Sequence, residues 1–304
     1  MSLIVTMFFA SLIHAIKFPD WLSENLISIG PLTVKWYGVA YIIGLFGAYY
    51  YAFRMSERRD IWIAGPSARK PELIPNKDML SDLMFYCLIG IIVGGRLGYV
   101  ILYQPDMILN APQDIIKVWE GGMAFHGGFL GVCAAVIYAS WRHKLSLMRI
   151  ADMAAIGAPI GLGAVRFLGN FLNQELWGRA TDVPWAMIFP KDLDSIPRHP
   201  SQLYEAVLEG LVIFFVLRLL CVRFKALTKP GVCTGGFIFM YGLFRFTIEF
   251  FREPDIGIDQ FGFLTRGMTY SLPMILIGGA VLLWALKRGP VSPKRQALKD
   301  VPAA

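Results

Sequence analysis

An all-α, polytopic membrane protein is the fold class this sequence predicts, on three observations. Hydrophobic residues make up 56% of the 304-residue chain and aromatics 14%, with a mean hydropathy of +0.52, more than a soluble domain around one core carries. Seven apolar runs, roughly at 34–53, 79–103, 123–141, 150–172, 201–222, 233–251 and 268–287, are each long enough to cross about 30 Å of hydrocarbon at about 1.5 Å per residue. None shows the alternation of apolar and polar positions over about ten residues that an outer-membrane barrel repeats.

Taken in order, the chain opens with MSLIVTMFFASLIHAIKF, whose apolar stretch is short and has no basic residue before it, as a signal peptide would require. Residues 1–33 read as an N-terminal interfacial segment that begins with a helix. The first span has Tyr37 near its start, and the second holds Arg96 in GGRLGYVILY together with Tyr99 and Tyr103. The third starts at His126 in EGGMAFHGGFLG, where the flanking glycines leave the imidazole accessible and able to accept a proton near neutral pH. In the fourth, Pro159 among Gly157, Gly161 and Gly163 predicts a kinked or broken helix, and Arg166, Asn170 and Asn173 end it. Residues 174–200 form a long external loop whose two tryptophans suit an interfacial cap or lid. The fifth span begins at RHPSQLYE, with Pro200 in its first turn and Ser201, Gln202 and Glu205 as a polar beginning. Tyr241, Arg245 and Glu249 lie in the sixth, with Arg252 just after its end, and residues 288–304 form a basic tail.

Orientation follows from charge. Alternate segments (54–78, the turn after the third span, the turn after the fifth, and the tail) hold more than half of the 29 Lys and Arg residues. By the positive-inside rule these lie in the cytoplasm with the C-terminus, and the N-terminus lies outside. Topology and attraction to anionic headgroups account for the net charge of +7, so no nucleic-acid partner is expected. With this orientation the polar residues named above gather toward the outer face. Cys87, Cys133, Cys221 and Cys233 lie in apolar spans without metal-ligand spacing and read as packed thiols; no metal is expected.

A charge at bilayer depth costs roughly 3 kcal/mol or more, so arginines at 96, 166 and 245 imply a polar interior shielded from lipid. Tyr241, Arg245 and Glu249 are spaced i, i+4, i+8 and share a helix face, with Arg252 three residues further on. Arg166 and Asn170 are also four apart. Planar guanidinium donors of this kind bind phosphate oxygens bidentately. Taken alone, Arg245 and Glu249 could equally form an internal ion pair joining helices, but arginines on three helices with fewer acids in view favour an anion site. A transporter would also gather cations, yet should carry inverted repeats or polar residues leading to both faces. A scaffold or lipid-binding protein would need no accessible histidine.

Six strings in this order, VKWYG, GGRLGYVILY, EGGMAFHGGFLG, NFLNQELWGR, RHPSQLYEAVLEG and YGLFRFTIEFFREPD, resemble the prolipoprotein diacylglyceryl transferase family, bacterial inner-membrane enzymes that begin lipoprotein maturation. The likeness runs from about residue 28 to 287. It implies a seven-helix domain over 34–287 with an outward-facing, periplasmic site that needs no cofactor. It further implies that phosphatidylglycerol is bound and that its diacylglyceryl group passes to the lipobox cysteine thiol of a preprolipoprotein, forming a thioether and releasing glycerol phosphate. Carried over by motif, the catalytic set is His126 as general base, Arg166 and Arg245 on the phosphate, Glu249 orienting Arg245, and Tyr37. Arg96, Asn170, Asn173, Glu175, Gly178, Arg198, His199, Tyr241 and Arg252 complete the substrate-binding surround. One departure stands out: the family pattern sets the arginine three residues before the asparagine, whereas Arg166 stands four before Asn170 and Phe167 fills the expected place. A local bulge would keep both on one face. No lipobox cysteine lies near the N-terminus, so the chain resembles the modifying enzyme and not its substrate.

Overall fold

Long apolar runs satisfy their backbone in hydrocarbon only as helices or closed barrels, and these runs, lacking strand alternation, are helices. A computed structural model describes residues 15–30, 32–62, 69–72, 74–253 and 264–293. The described chain opens with three short strands, β1 (Ile16–Lys17), β2 (Asn25–Ile29) and β3 (Leu32–Lys35), followed by α1 (Trp36–Ser56) and β4 (Arg69–Glu72). Next come α2 (Lys77–Tyr103), α3 (Phe125–His143) and α4, which is α-helical over Leu147–Ala164 and π-helical over Val165–Phe171. After β5 (Met187–Ile188), α5 covers 201–224 and has its own π-helical stretch, Ala206–Val212. Then follow α6 (Val232–Ile248), α7 (Arg266–Arg288) and β6 (Val291–Pro293). Each expected span is thus a helix, with ends within three residues of the expected ones. Lys77–Tyr103, Leu147–Phe171 and Arg266–Arg288 are long and apolar enough to cross a membrane.

One sequence expectation needs correction. The chain is predominantly helical but not all-α: among the described residues β1 pairs with β5 in parallel, β2 with β3 antiparallel, and β4 with β6 in parallel. The reason is local in the hairpin, where Gly30 at φ 58° supplies the left-handed turn residue that joins two β-branched strands. The interfacial helix expected at the N-terminus falls mostly on residues 1–14, outside the described residues, and Ile16–Lys17 is a strand. Pro159 sits inside α4 without breaking it; the departure from α geometry starts six residues later.

The helices and loops divide into two compact units. Among the described residues, one consists of those up to Ala48 with Gly157–Leu219 and Gly235–Leu283; the other of those in Tyr49–Ile156, in Leu220–Thr234 and from Trp284 onward. In the first, a core of Phe18, Phe171, Leu172, Met187 and Phe189, flanked by Trp36, Trp177 and Leu203, joins the N-terminal stretch to the loop at 174–200. β1 on β5 adds backbone bonds, Ile16 N to Ala186 O at 2.8 Å and Phe18 N to Ile188 O at 3.0 Å. The loop at 174–200 is therefore part of a folded layer with a core. In the second unit α2 starts at an Asn76 N-cap, whose Oδ1 accepts the Met79 N–H at 3.0 Å. α2 packs on α3 through glycines so close that a Cβ on Gly94 would stand 2.3 Å from Gly127 O.

Candidate active site

α4 changes pitch where its polar residues begin. A π-helical turn takes in an extra residue, so Arg166 and Asn170, four apart, come to the same side, and Arg166 Nη1 donates to Asn170 Oδ1 at 3.3 Å. This is the local bulge that the four-residue spacing led us to expect. The π-helical stretch of α5 lies against it, with a backbone approach so tight that a Cβ on Gly210 would stand 2.6 Å from Gly163 Cα.

α5 brings two carboxylates to Arg166. Its Nε donates to Glu209 Oε2 at 3.1 Å and its Nη1 lies 3.2 Å from Glu205 Oε2. From α6, Arg245 Nη1 is 2.5 Å from Glu249 Oε2 and 3.8 Å from Glu205 Oε1, and beyond that helix Arg252 Nη1 is 3.5 Å from Glu205 Oε1. Thr265 Oγ1 donates to Glu249 Oε1 at 2.8 Å. Glu205 and Glu209 have no exposure at all, and Glu249 retains only 5%. Three guanidinium groups thus meet three carboxylates, and each desolvated charge has an opposite charge beside it, which offsets the cost of burial. The acids outnumber the sequence expectation, because Glu205 and Glu209 face inward.

Next to this cluster lies a chain of amides. Asn170, 3% exposed, donates through Nδ2 to Glu175 Oε1 at 2.7 Å and to the Tyr37 hydroxyl at 3.4 Å. Asn173 Nδ2 donates to the other oxygen, Glu175 Oε2, at 2.7 Å. Tyr37 also packs on the Cα of Gly169 and lines a cavity of about 200 Å³ with Glu24, Lys35, Leu168, Gly169 and Asn173. Lys191 bridges Glu24 and Asn173 at its edge, and this cation holds the Glu24 carboxyl below its ordinary value. Tyr241, half-buried on α6, stacks on Phe237 with centroids 6.0 Å apart.

Other expected site residues have different surroundings. Arg96 belongs to the second unit, and its guanidinium donates to four backbone carbonyls: Ile115 O at 2.9 Å, Gly121 O at 2.6 Å, Gly122 O at 3.1 Å and Asp114 O at 2.5 Å. At 6% exposure, with its ring neighbour Tyr99 at 5.6 Å, it ties the turn before α3 to α2. Four of its five N–H donors are spent on these carbonyls. His126 is the second residue of α3 and exposed, as its flanking glycines suggested, with its ring 5.9 Å from that of Phe125. Arg198 is committed to the loop: it reaches Asp192 by two bonds, Asp194 at 3.2 Å and Glu253 at 3.4 Å, and lies over Trp177. That guanidinium holds the Asp192 carboxyl below its ordinary value. His199 meets the Tyr204 hydroxyl at 3.1 Å, and partial burial lowers its imidazole pKa. Gly178 is needed for packing, since a Cβ there would stand 2.5 Å from both His199 Cβ and Phe251 O.

Sequence reasoning missed Glu205 and Glu209 as members of the site, along with Thr265. The available signal was their spacing, i and i+4 in an otherwise apolar helix.

The comparisons with known proteins point the same way. A family model described as prolipoprotein diacylglyceryl transferase matches residues 24–284. The chain belongs to that family. Among similar curated members of the prolipoprotein diacylglyceryl transferase family, one from Vibrio campbellii is 43% identical over 283 residues, covering 93% of this chain and 97% of its own. Another from Aliivibrio fischeri is 45% identical over 274 residues, 90% of each chain, and one from Bartonella bacilliformis is 43% identical over 270 residues, 87% of this chain and 92% of its own. All three carry the name phosphatidylglycerol–prolipoprotein diacylglyceryl transferase. This chain is accordingly a membrane protein and a transferase.

Proposed function

We infer that this chain transfers the diacylglyceryl group of phosphatidylglycerol to a prolipoprotein, at the thiol of the lipobox cysteine, and that unit one holds the phosphate during the reaction. The observation that carries the residue assignment is the meeting of Arg166 and Arg245, from different helices, on one buried carboxylate, with Asn170 and Tyr37 alongside. In the transfer, sulfur attacks the glyceryl carbon that bears the phosphate, an S–C bond forms as the C–O bond breaks, and glycerol phosphate leaves. Negative charge builds on the departing phosphate oxygen, where fixed guanidinium donors stabilise it most. Arg166 and Arg245 supply those donors. The thiol must lose its proton, and the family resemblance gives the role of general base to His126. Glu249 orients Arg245; Asn170, Asn173, Glu175 and Tyr37 form the polar wall beside the headgroup, with Tyr241 and Arg252 at its back.

The seven helices cross the bacterial inner membrane, with the N-terminus outside, the C-terminal tail 288–304 in the cytoplasm and the site toward the periplasm. Residues 1–33 lie at the interface, 34–287 form the membrane domain and 174–200 cap the site. The basic segments support this orientation, since they alternate along the chain. The reading is tested with purified protein, phosphatidylglycerol vesicles and a lipobox peptide bearing one free cysteine. A thioether-linked diacylglyceryl peptide is expected by mass spectrometry, and none from Arg245→Ala. Absence of product from the wild type, or full activity in the variant, refutes the assignment.

A further inference from the structure

Among the described residues, Glu205 is the one that touches all three guanidinium groups of the cluster: Arg166 at 3.2 Å through Oε2, Arg252 at 3.5 Å and Arg245 at 3.8 Å through Oε1. These arginines come from α4, from α6 and from the chain just beyond α6, while Glu205 sits in the second turn of α5, where its neighbours fix it. Ser201 Oγ donates to Leu176 O at 2.9 Å and Gln202 Nε2 to Glu175 O at 2.7 Å, so this end of α5 is fastened to the segment that carries the amide chain. Side chains 201, 202 and 205 are all fully buried. A desolvated carboxylate on a clamped helix turn is a rigid reference point, whereas three arginines on their long side chains are not.

We propose that Glu205 is a positioning residue for the transfer reaction: it fixes the angle of the Arg166 and Arg245 guanidinium planes so that their remaining N–H donors face the departing phosphate. Glu209 adds a second constraint to Arg166 through Nε, and Glu249, held by Thr265, does the same for Arg245. Each phosphate-facing arginine is therefore held at two points, with Glu205 the point in common. The acids form a wall on one side of the guanidinium groups, and the ligand takes the other. Arg252, which shares Oε1 with Arg245, completes the charge balance at the hub. Oriented donors gain most of their value in the transition state, so their loss falls on turnover and not on lipid binding.

This inference rests on the phosphate role proposed above, and the test separates the two. Two-substrate kinetics with phosphatidylglycerol and the lipobox peptide are measured for wild type, Arg245→Ala, Glu205→Gln and Glu205→Asp, with thermal unfolding of each. The expected result is a fall in kcat of about 100-fold for Glu205→Gln and about 10-fold or more for Glu205→Asp, with KM for the lipid changed less than about threefold. The aspartate keeps the charge but is one methylene too short to reach three partners, and it keeps the inference testable should the glutamine variant not fold. Wild-type kcat in Glu205→Asp would show that only the counter-charge matters and would overturn the inference, as would a loss confined to unfolding temperature or to KM. Activity lost in Arg245→Ala but retained in both Glu205 variants removes the positioning role alone; activity retained in Arg245→Ala removes the phosphate reading as well.

Discussion

Arg96, buried, and Arg166, partly buried, both lie in apolar helices, yet their surroundings differ in kind. Arg96 is ringed by backbone carbonyls from residues 114, 115, 121 and 122, while Arg166 is held by two carboxylates and an amide oxygen. Carbonyl partners make the guanidinium a staple: they consume its donors and fix a turn. Carboxylate partners hold one edge of the guanidinium and leave the other to a ligand. An arginine in a membrane helix therefore signals function only when its partners are known, and the charge count alone does not discriminate.

The comparison predicts unlike failures. Replacing Arg166 or Arg245 by alanine should lower transfer by about 1,000-fold or more while the protein still unfolds cooperatively, because these groups act on charge developing in the transition state; product assays beside thermal unfolding check this. Arg96→Ala should instead strip partners from four carbonyls and cost about 3 kcal/mol or more of stability, seen as a lowered unfolding midpoint in detergent. Arg96→Lys should recover little of it, since an ammonium cannot match the fork. If Arg96→Ala proved stable but inactive, the contrast between the two arginines would collapse.

Smaller effects test the folded loop. Gly178→Ala forces a Cβ against the Phe251 carbonyl and His199, and should destabilise by about 1 to 3 kcal/mol, read by protease cleavage within 174–200. The mildest change concerns pH. Asp192 has a lower pKa folded than unfolded, so its pairing with Arg198 stabilises the loop above the ordinary carboxylate value of 3.8 and is lost as pH falls below it. Loop cleavage by an acid-active protease should rise as pH drops through that range in the wild type and vary less in Asp192→Asn.

Helix positions were legible because seven apolar runs leave the backbone little choice, and observed ends such as Lys77–Tyr103 fall close to the sequence reading. Tyr37, Arg166, Asn170, Arg245 and Glu249 were legible as polar residues in apolar company, and the structure gathers them in one unit. Glu205 was read only as a polar helix start, since nothing local in SQLYEAVLEG says that three arginines from elsewhere converge on it. The partners of Arg96 were not legible for the mirror-image reason: they are backbone atoms, which leave no trace in residue identities. The strands at 16–17 and 187–188 are too short for any periodic signal, and their pairing depends on chain segments far apart in order.

That last pairing bears on biosynthesis. β1 finds its neighbour only once more than half the chain has been made, so the layer built on Phe18, Met187 and Phe189 is absent from early nascent intermediates. Closing so long a loop is entropically costly and slow compared with forming the helices in between. Of the helices around the arginine cluster, α4 is made before β5 while α5 and α6 are made after it, so the layer is able to close before the cluster is complete, and a fusion partner attached close to Ile16 would interfere at that step.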